Sequence, residues 1–242
     1  MLKTQGIVFR ITRYRESSLI FDVFTEAAGL QSFIASGVYS KNGQRLASAF
    51  QPMHLLEVVA YYHEHKDLHR IREVSSVYPY VSIPFDIRKS AVGIFLLELC
   101  RKCIRPHHHN PSLFSFVRGA FLTLDQHEFD PNYHLRFMLD FAAQLGFQPR
   151  NNHSPTLNSF DLANGVFVPY NTSSPYQVDP ESSRLLSDWM RDRMAESDMH
   201  NGQQRRNLLQ WLLLYYQLHI EQFGTVKSVD VFHDILSGAP PR

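Results

Sequence analysis

Only two cysteines occur in the 242 residues, Cys100 and Cys103, so no disulfide framework can staple this chain. It lacks an uninterrupted apolar run long enough for a bilayer. The longest candidate, Leu208 to Ile220, is broken by Gln210, Gln217 and His219. The opening residues do not read as a signal peptide, because Thr4, Gln5 and Arg10 interrupt any apolar core, and a protein of the reducing cytoplasm is expected. Sequence signatures of catalysis are missing too. No phosphate-cradling G-x-x-x-x-G-K-[ST], no G-x-G-x-x-G, no H-E-x-x-H and no G-x-S-x-G appears. Charge of one sign is also absent overall, with a formal net charge of +1.

What is present is an uneven distribution. Residues 1–45 carry six cations (Lys3, Arg10, Arg13, Arg15, Lys41, Arg45) against three acids (Glu16, Asp22, Glu26). The apolar fraction of 44% is enough for packed cores, and the length suits one large domain or two modest ones.

The first eighty residues read as strands. Thr4–Tyr14 is rich in β-branched and aromatic residues, with Ile7, Phe9 and Ile11 on one inward face, Arg10 outward, and a change of phase near Arg13. Ser18–Thr25, Leu30–Val38, Met53–Tyr62 and Leu68–Val77 follow as four more strands. Gly29 closes a turn after Glu26, and Tyr39–Ala49 forms a loop. Five short strands in this span imply a small closed barrel, since closure removes exposed edges. After Pro79 and Pro84 the period becomes helical. Asp86, Asn110-Pro111 and Asp130-Pro131 each read as the start of a helix, and Gly146 as the stop of the third. Phe160–Val168 carries Asn164-Gly165 between apolar runs, the mark of a tight hairpin. Asp179-Pro180 opens another helix, and a long apolar one covers about Gln203–Phe223, with Leu209, Leu213, Tyr216, Ile220 and Phe223 in its stripe. The expected class is α+β with two domains. A five-stranded barrel occupies 1–80, and an all-helical domain occupies 81–242, with a β-hairpin inserted near 158–170.

Several clusters invite chemistry and have simpler readings. Cys100-Arg101-Lys102-Cys103 falls late in a helical pattern, where a pair of thiols packs rather than reacts, and no second pair completes a zinc site. His107-His108-His109 cannot easily converge on one ion. His63, His65 and His69 are expected at a solvated hairpin tip. The many histidines leave an enzyme with a dispersed site as a third reading, to be revived by a pocket joining a histidine to a carboxylate. The cations of the barrel segment are of more interest, because small barrels bind single-stranded nucleic acid by tracking phosphates with cations and stacking bases on aromatic rings. Lys3, Arg10, Arg13, Arg15, Lys41 and Arg45 are the candidates, with Tyr14 and Tyr39 as stacking platforms and Phe9 as core. Arg70 and Arg72 lie on the fifth strand. Composition leaves two readings open, a phosphate-tracking surface and plain solubilising charge.

The ordered set of motifs resembles one family. "KTQGIVFR", "YRESSLI" at Tyr14–Ile20, "VFTEAAGLQSFIASGV" at Val23–Val38 and "FQPMHLLEV" at Phe50–Val58 are followed by "FLLELC", by "LGF" at Leu145–Phe147 and by "YYQLHI" at Tyr215–Ile220. This is similar to the RecO family of bacterial recombination mediators across the whole chain. The resemblance implies an OB-fold followed by a helical domain, with no hydrolytic activity and no cofactor. It implies binding of single- and double-stranded DNA, strand annealing, and association with RecR and with the acidic, apolar C-terminal tail of single-stranded DNA-binding protein. Indirectly it implies loading of RecA, at the nucleoid. A tail-binding site needs an apolar pocket rimmed by cations. Arg101, Lys102 and Arg105, or Arg205 and Arg206, are the alternatives for that rim, although Glu98 and Lys102 also read as an ordinary i,i+4 surface pair. Many members resemble zinc proteins after "LGF", with four cysteines. Here residues 147–180 hold no cysteine and only His153, so the hairpin is expected to fold without metal. The alternative function is a protein-interaction scaffold whose DNA binding is incidental.

Overall fold

A computed structural model describes residues 1–38, 50–106, 109–191 and 202–237. They form two compact units, 1–129 and 130–242. The first begins with β1 (Leu2–Tyr14), β2 (Ser18–Thr25), β3 (Gly29–Ala35), β4 (Leu55–Tyr61) and β5 (Leu68–Tyr78), which close into a barrel of order β1-β2-β3-β5-β4. All pairings are antiparallel except β3 with β5, which run parallel with Ile34 opposite Arg70. That five-stranded closure is the OB-fold arrangement expected from the sequence. Its interior is filled by alternate residues, among them Val8, Leu19, Phe21, Val23, Phe33, Leu56 and Val58. The other face of each strand therefore points away from the barrel axis.

The sequence misplaces one feature of β1. Its register shifts between Val8 and Arg10, not near Arg13. Val8 joins the barrel interior, and Ile11 packs partly against it. Phe9 is core but outside the barrel, with its ring against Phe24, which in turn meets Phe114 of a covering helix. A bulge at Phe9 lets Ile7–Phe9 be buried on both faces, which a simple alternation cannot encode. His69, expected in solvent, is also buried. Its ring lies between Phe33 and Tyr62, and Nε2 meets the Gln31 amide oxygen at 3.2 Å.

Two helices complete this unit. In α1 (Ile87–Cys103) the Asp86 side chain accepts the Arg88 N–H as N-cap, and in α2 (Pro111–Gln126) Asn110 caps Leu113 with Pro111 in the first turn. Both starts are the ones read from sequence. Cys100 and Cys103 end α1 fully or nearly buried, and burial pushes both thiols up, Cys103 to about 12. They are inert packing groups. The segment joining barrel to helix is tied down by Asp125 of α2. Its carboxylate accepts the consecutive backbone N–H groups of Val81, Ser82 and Ile83 at 3.0, 2.8 and 2.9 Å, and the Tyr78 hydroxyl at 3.0 Å. Buried Lys89 donates beside it to the Ser82 hydroxyl and to the His127 carbonyl.

The second unit holds α3 (Tyr133–Gln144), the hairpin β6 (Ser159–Asp161) and β7 (Val166–Val168), α4 (Pro180–Arg191), α5 (Gly202–His219) and α6 (Ser228–Ser237). The third helix starts later than Asp130-Pro131 implies. Asp130 instead closes a turn, its carboxylate accepting the Asn132 N–H and pairing with Arg136. Gly146, at φ +88, ends that helix as expected. The last long helix stops at His219, and its buried face is Leu208, Leu209, Leu212, Tyr215 and Tyr216. Leu213 and Ile220 are only half-buried. Four residues, Leu162 to Gly165, connect β6 to β7, so the hairpin is less tight than Asn-Gly alone suggests.

The segment after "LGF" offers no thiolate and one imidazole, and His153 packs edge-on against Phe167. This donor set does not fit zinc. Side-chain amides hold it instead. Asn152 exchanges hydrogen bonds with the N–H and C=O of Phe167, and Asn151 does so with the Ser187 hydroxyl and carbonyl.

Candidate nucleic-acid interface

The barrel wall that carries the N-terminal cations is built from the outward residues of β1, β2, β3 and β5. Strand register sets them in rows. Arg10 lies opposite Asp22, Asp22 opposite Ser32, and Ser32 opposite Leu68. In the next row Thr12 faces Ile20, Ile20 faces Ile34, Ile34 faces Arg70 and Arg70 faces Tyr61.

The predicted cations do not all belong to one surface. Lys3 and Arg13 are separated by most of β1, roughly 33 Å at 3.3 Å per residue. Lys3 makes a 3.3 Å ion pair with Glu57 of the neighbouring strand. Arg10 is compensated by Asp22, with Nε 2.8 Å from a carboxylate oxygen whose mate accepts the Ser32 hydroxyl. Arg13, Tyr14 and Arg15 do come together, at the exposed β1–β2 turn. Arg15 adopts φ +55, and its guanidinium lies 5.2 Å from the Tyr14 ring centre. Cation and ring are thus presented side by side at the end of the hairpin. Tyr39, Lys41 and Arg45 lie outside the described residues, as do His107 and His108; His109 reaches the Glu26 carbonyl through Nε2.

The wall also contains basic residues that sequence reasoning left out of the site. Lys66 and Arg70, with Arg72, line an open groove of about 670 Å³ together with Tyr61, His63, Leu68 and Ile71. Their proximity follows from the parallel β3–β5 pairing and from the turn in which the Lys66 N–H meets the His63 carbonyl. Period-2 alternation on Leu68–Tyr78 marks Arg70 and Arg72 as outward. Nothing in the sequence says which strand they flank.

Of the two candidate rims for a peptide tail, Arg101 and Lys102 occupy the last turn of α1, where cations meet the negative end of the helix dipole. Arg105 follows, exposed. Arg205 and Arg206 sit in the first turn of α5. Burial, and then Arg206, holds the Arg205 guanidinium below its usual range, while Arg206 donates to Gln203 at 2.7 Å. Beside them α4 and α5 flank a small cleft of about 30 Å³, lined by Leu185, Leu186, Leu208 and Trp211 together with the polar Ser182, Gln204 and Asn207. Among the described residues no group of three or more His, Cys, Asp or Glu is placed to hold a metal, and no helix is long and apolar enough to cross a membrane.

Comparison with known proteins adds two families of match. Residues 1–80 match the recombination protein O N-terminal domain, and residues 84–228 match its C-terminal domain. The DNA repair protein RecO of Bacteroides fragilis is 34% identical over 96% of this chain and 98% of its own length. The protein of the same name from Flavobacterium psychrophilum is 32% identical over 98% and 99%. That of Christiangramia forsetii is also 32% identical, over 97% and 99%.

Proposed function

The chain belongs to the recombination protein O family of DNA repair and recombination proteins, and we propose that it works as a recombination mediator, binding DNA through its OB barrel. In this reading it binds single- and double-stranded DNA and anneals complementary strands. With RecR it helps RecA load onto strands coated by single-stranded DNA-binding protein. It carries out no catalysis and works in the cytoplasm at the nucleoid. The observation that carries the proposal is the β1–β2 turn, where Arg13, Tyr14 and Arg15 put two cations and a ring at one end of the barrel wall. OB-folds take oligonucleotides on the face of their second and third strands, flanked by this turn and by the turn between the fourth and fifth. The acidic tail would take Arg101, Lys102 and Arg105 or Arg205 and Arg206 as its cationic rim; the cleft between α4 and α5, at about 30 Å³, is too small to decide between them.

The ion pairs of Lys3 and Arg10 favour a second reading, a protein-interaction scaffold with incidental DNA binding. One experiment separates the two. The double variant Arg13→Glu/Arg15→Glu is expected to weaken binding of a fluorescein-labelled oligonucleotide at least tenfold at moderate salt, because two phosphate contacts become repulsive. Equal affinity of variant and parent, or no oligonucleotide bound by either alongside firm RecR binding, supports the scaffold.

A further inference from the structure

Resting on that reading, we infer that Asp22 is a built-in competitor of the DNA backbone: its carboxylate occupies the place on Arg10 that a phosphate would take, and so sets a ceiling on how tightly the barrel holds DNA. The first argument is geometry. Arg10 projects from the middle of β1, and strand register places Asp22 of β2 directly opposite it. The Arg10 Nε lies 2.8 Å from one carboxylate oxygen of Asp22. A charge-assisted bond from the same nitrogen to a phosphate oxygen would have this length. Arginine takes carboxylate and phosphate oxygens in the same way, so the two compete for one guanidinium.

The second argument is anchorage. Exposed ion pairs give way easily, because two mobile side chains must be held in one arrangement. Asp22 is short, and its second oxygen accepts the Ser32 hydroxyl of β3 at 2.6 Å. Its side chain is 18% exposed, against 55% for Arg10. The acid is therefore fixed low in the wall by a donor on each flanking strand, while the cation stands above it. The other paired acids of the described barrel, Glu57 and Glu73, are 40% and 65% exposed and have no second anchor. A strand laid on this wall meets Arg10 with its charge already balanced, and displacing the carboxylate breaks two hydrogen bonds.

The third argument is what the arrangement does to release. Each cation that neutralises a phosphate frees counterions and deepens binding, and differences in affinity between variants of one interface fall mostly on the dissociation rate. A protein that anneals strands has to let go of them. A guanidinium neutralised at the middle of the wall keeps binding shallow there, and the charge that remains at the β1–β2 turn still attracts the strand. Asp22 thus tunes residence time on DNA without touching DNA itself.

The test uses the full chain and a labelled poly-dT oligonucleotide. Asp22→Asn keeps an oxygen for Ser32 and removes the charge. It is expected to tighten binding roughly fivefold at about 0.1 M salt and to steepen the slope of log affinity against log salt by about 0.7, one added phosphate contact. The gain should appear as slower dissociation. Asp22→Thr, a good strand former that still offers Ser32 an oxygen, is expected to gain in the same direction. Arg10→Gln should weaken binding, since it leaves the Asp22 charge bare, and Arg10→Gln/Asp22→Asn should return to within about twofold of the parent. Glu181→Gln on α4 makes the same change of net charge away from the barrel strands and should also stay within about twofold of the parent. A pair that only braced the wall would give the opposite result for Asp22→Asn, a lower thermal midpoint with weaker binding. Unchanged or weaker binding by Asp22→Asn and Asp22→Thr, while the parent binds well, overturns this inference alone, as does an equal gain in Glu181→Gln. A parent that binds no DNA overturns it together with the function it rests on.

Discussion

Replacing Asp125 by alanine is expected to destabilise the first unit by about 3–5 kcal/mol. One carboxylate there satisfies three consecutive backbone N–H groups and a tyrosine hydroxyl, at a residue that is 2% exposed. Each buried donor left without an acceptor costs about 1–3 kcal/mol, and water reaching the new cavity recovers only part of it. Total stabilities of domains are about 5–15 kcal/mol, so such a loss is a large share. Asp125→Asn keeps one acceptor oxygen but turns an NH2 group toward the donors, and about 2–3 kcal/mol is expected. The proton has a matching signature. Burial works to raise the Asp125 pKa, but the N–H groups of Val81, Ile83 and Ser82 and the Tyr78 hydroxyl outweigh it and hold the carboxyl below its ordinary value. A depressed folded pKa means stability that is fully present above the unfolded value of about 3.9 and drains away as pH falls through the folded one. Urea midpoints measured from pH 7 down to pH 3 should therefore decline on the acid limb less steeply in Asp125→Asn than in the parent. Parallel acid limbs, or an alanine variant within about 1 kcal/mol of the parent, would contradict the role assigned to this carboxylate.

Gly6→Val should be nearly as damaging. Gly6 lies where β1 is paired on both sides at once, opposite Thr25 of β2 and Leu56 of β4. A Cβ built there falls 2.3 Å from Cγ1 of Val23 and 3.3 Å from the carbonyl oxygen of Phe24. Val23 is fully buried, and its β-branched side chain has few rotamers to retreat into. Overpacking of this kind costs about 1–3 kcal/mol for alanine and more for valine. A double-mutant cycle isolates the cause. Gly6→Ala should be less harmful in a Val23→Ala background, with a coupling of about 1–2 kcal/mol. Strict additivity would mean that Gly6 is held for some other reason.

The barrel was legible because most of its strands have one face in the core and one outside, so alternation survives in β2, β3 and β4. It failed at Ile7-Val8-Phe9, where a helix covers the outer face and both phases are apolar. Helix starts at Asp86 and Asn110 were legible because a side-chain acceptor precedes an apolar period. Asp130-Pro131 looked the same but spends its carboxylate on a turn and on Arg136. The candidate interface was only half legible. Charge counts on β1 could not show that Asp22, twelve residues on, would be brought opposite Arg10 by strand register. Nor could they show that a parallel pairing would set Arg70 beside Ile34. Both facts are products of the closed topology.

The claim at the centre is that this barrel holds DNA by its backbone charge. Binding of a labelled single strand across 50–200 mM salt tests it most directly. With contacts from about four cations the slope of log affinity against log salt should be near −3, a fall of roughly 50-fold across that range. A flat salt response, or no binding at the lowest salt, would contradict it.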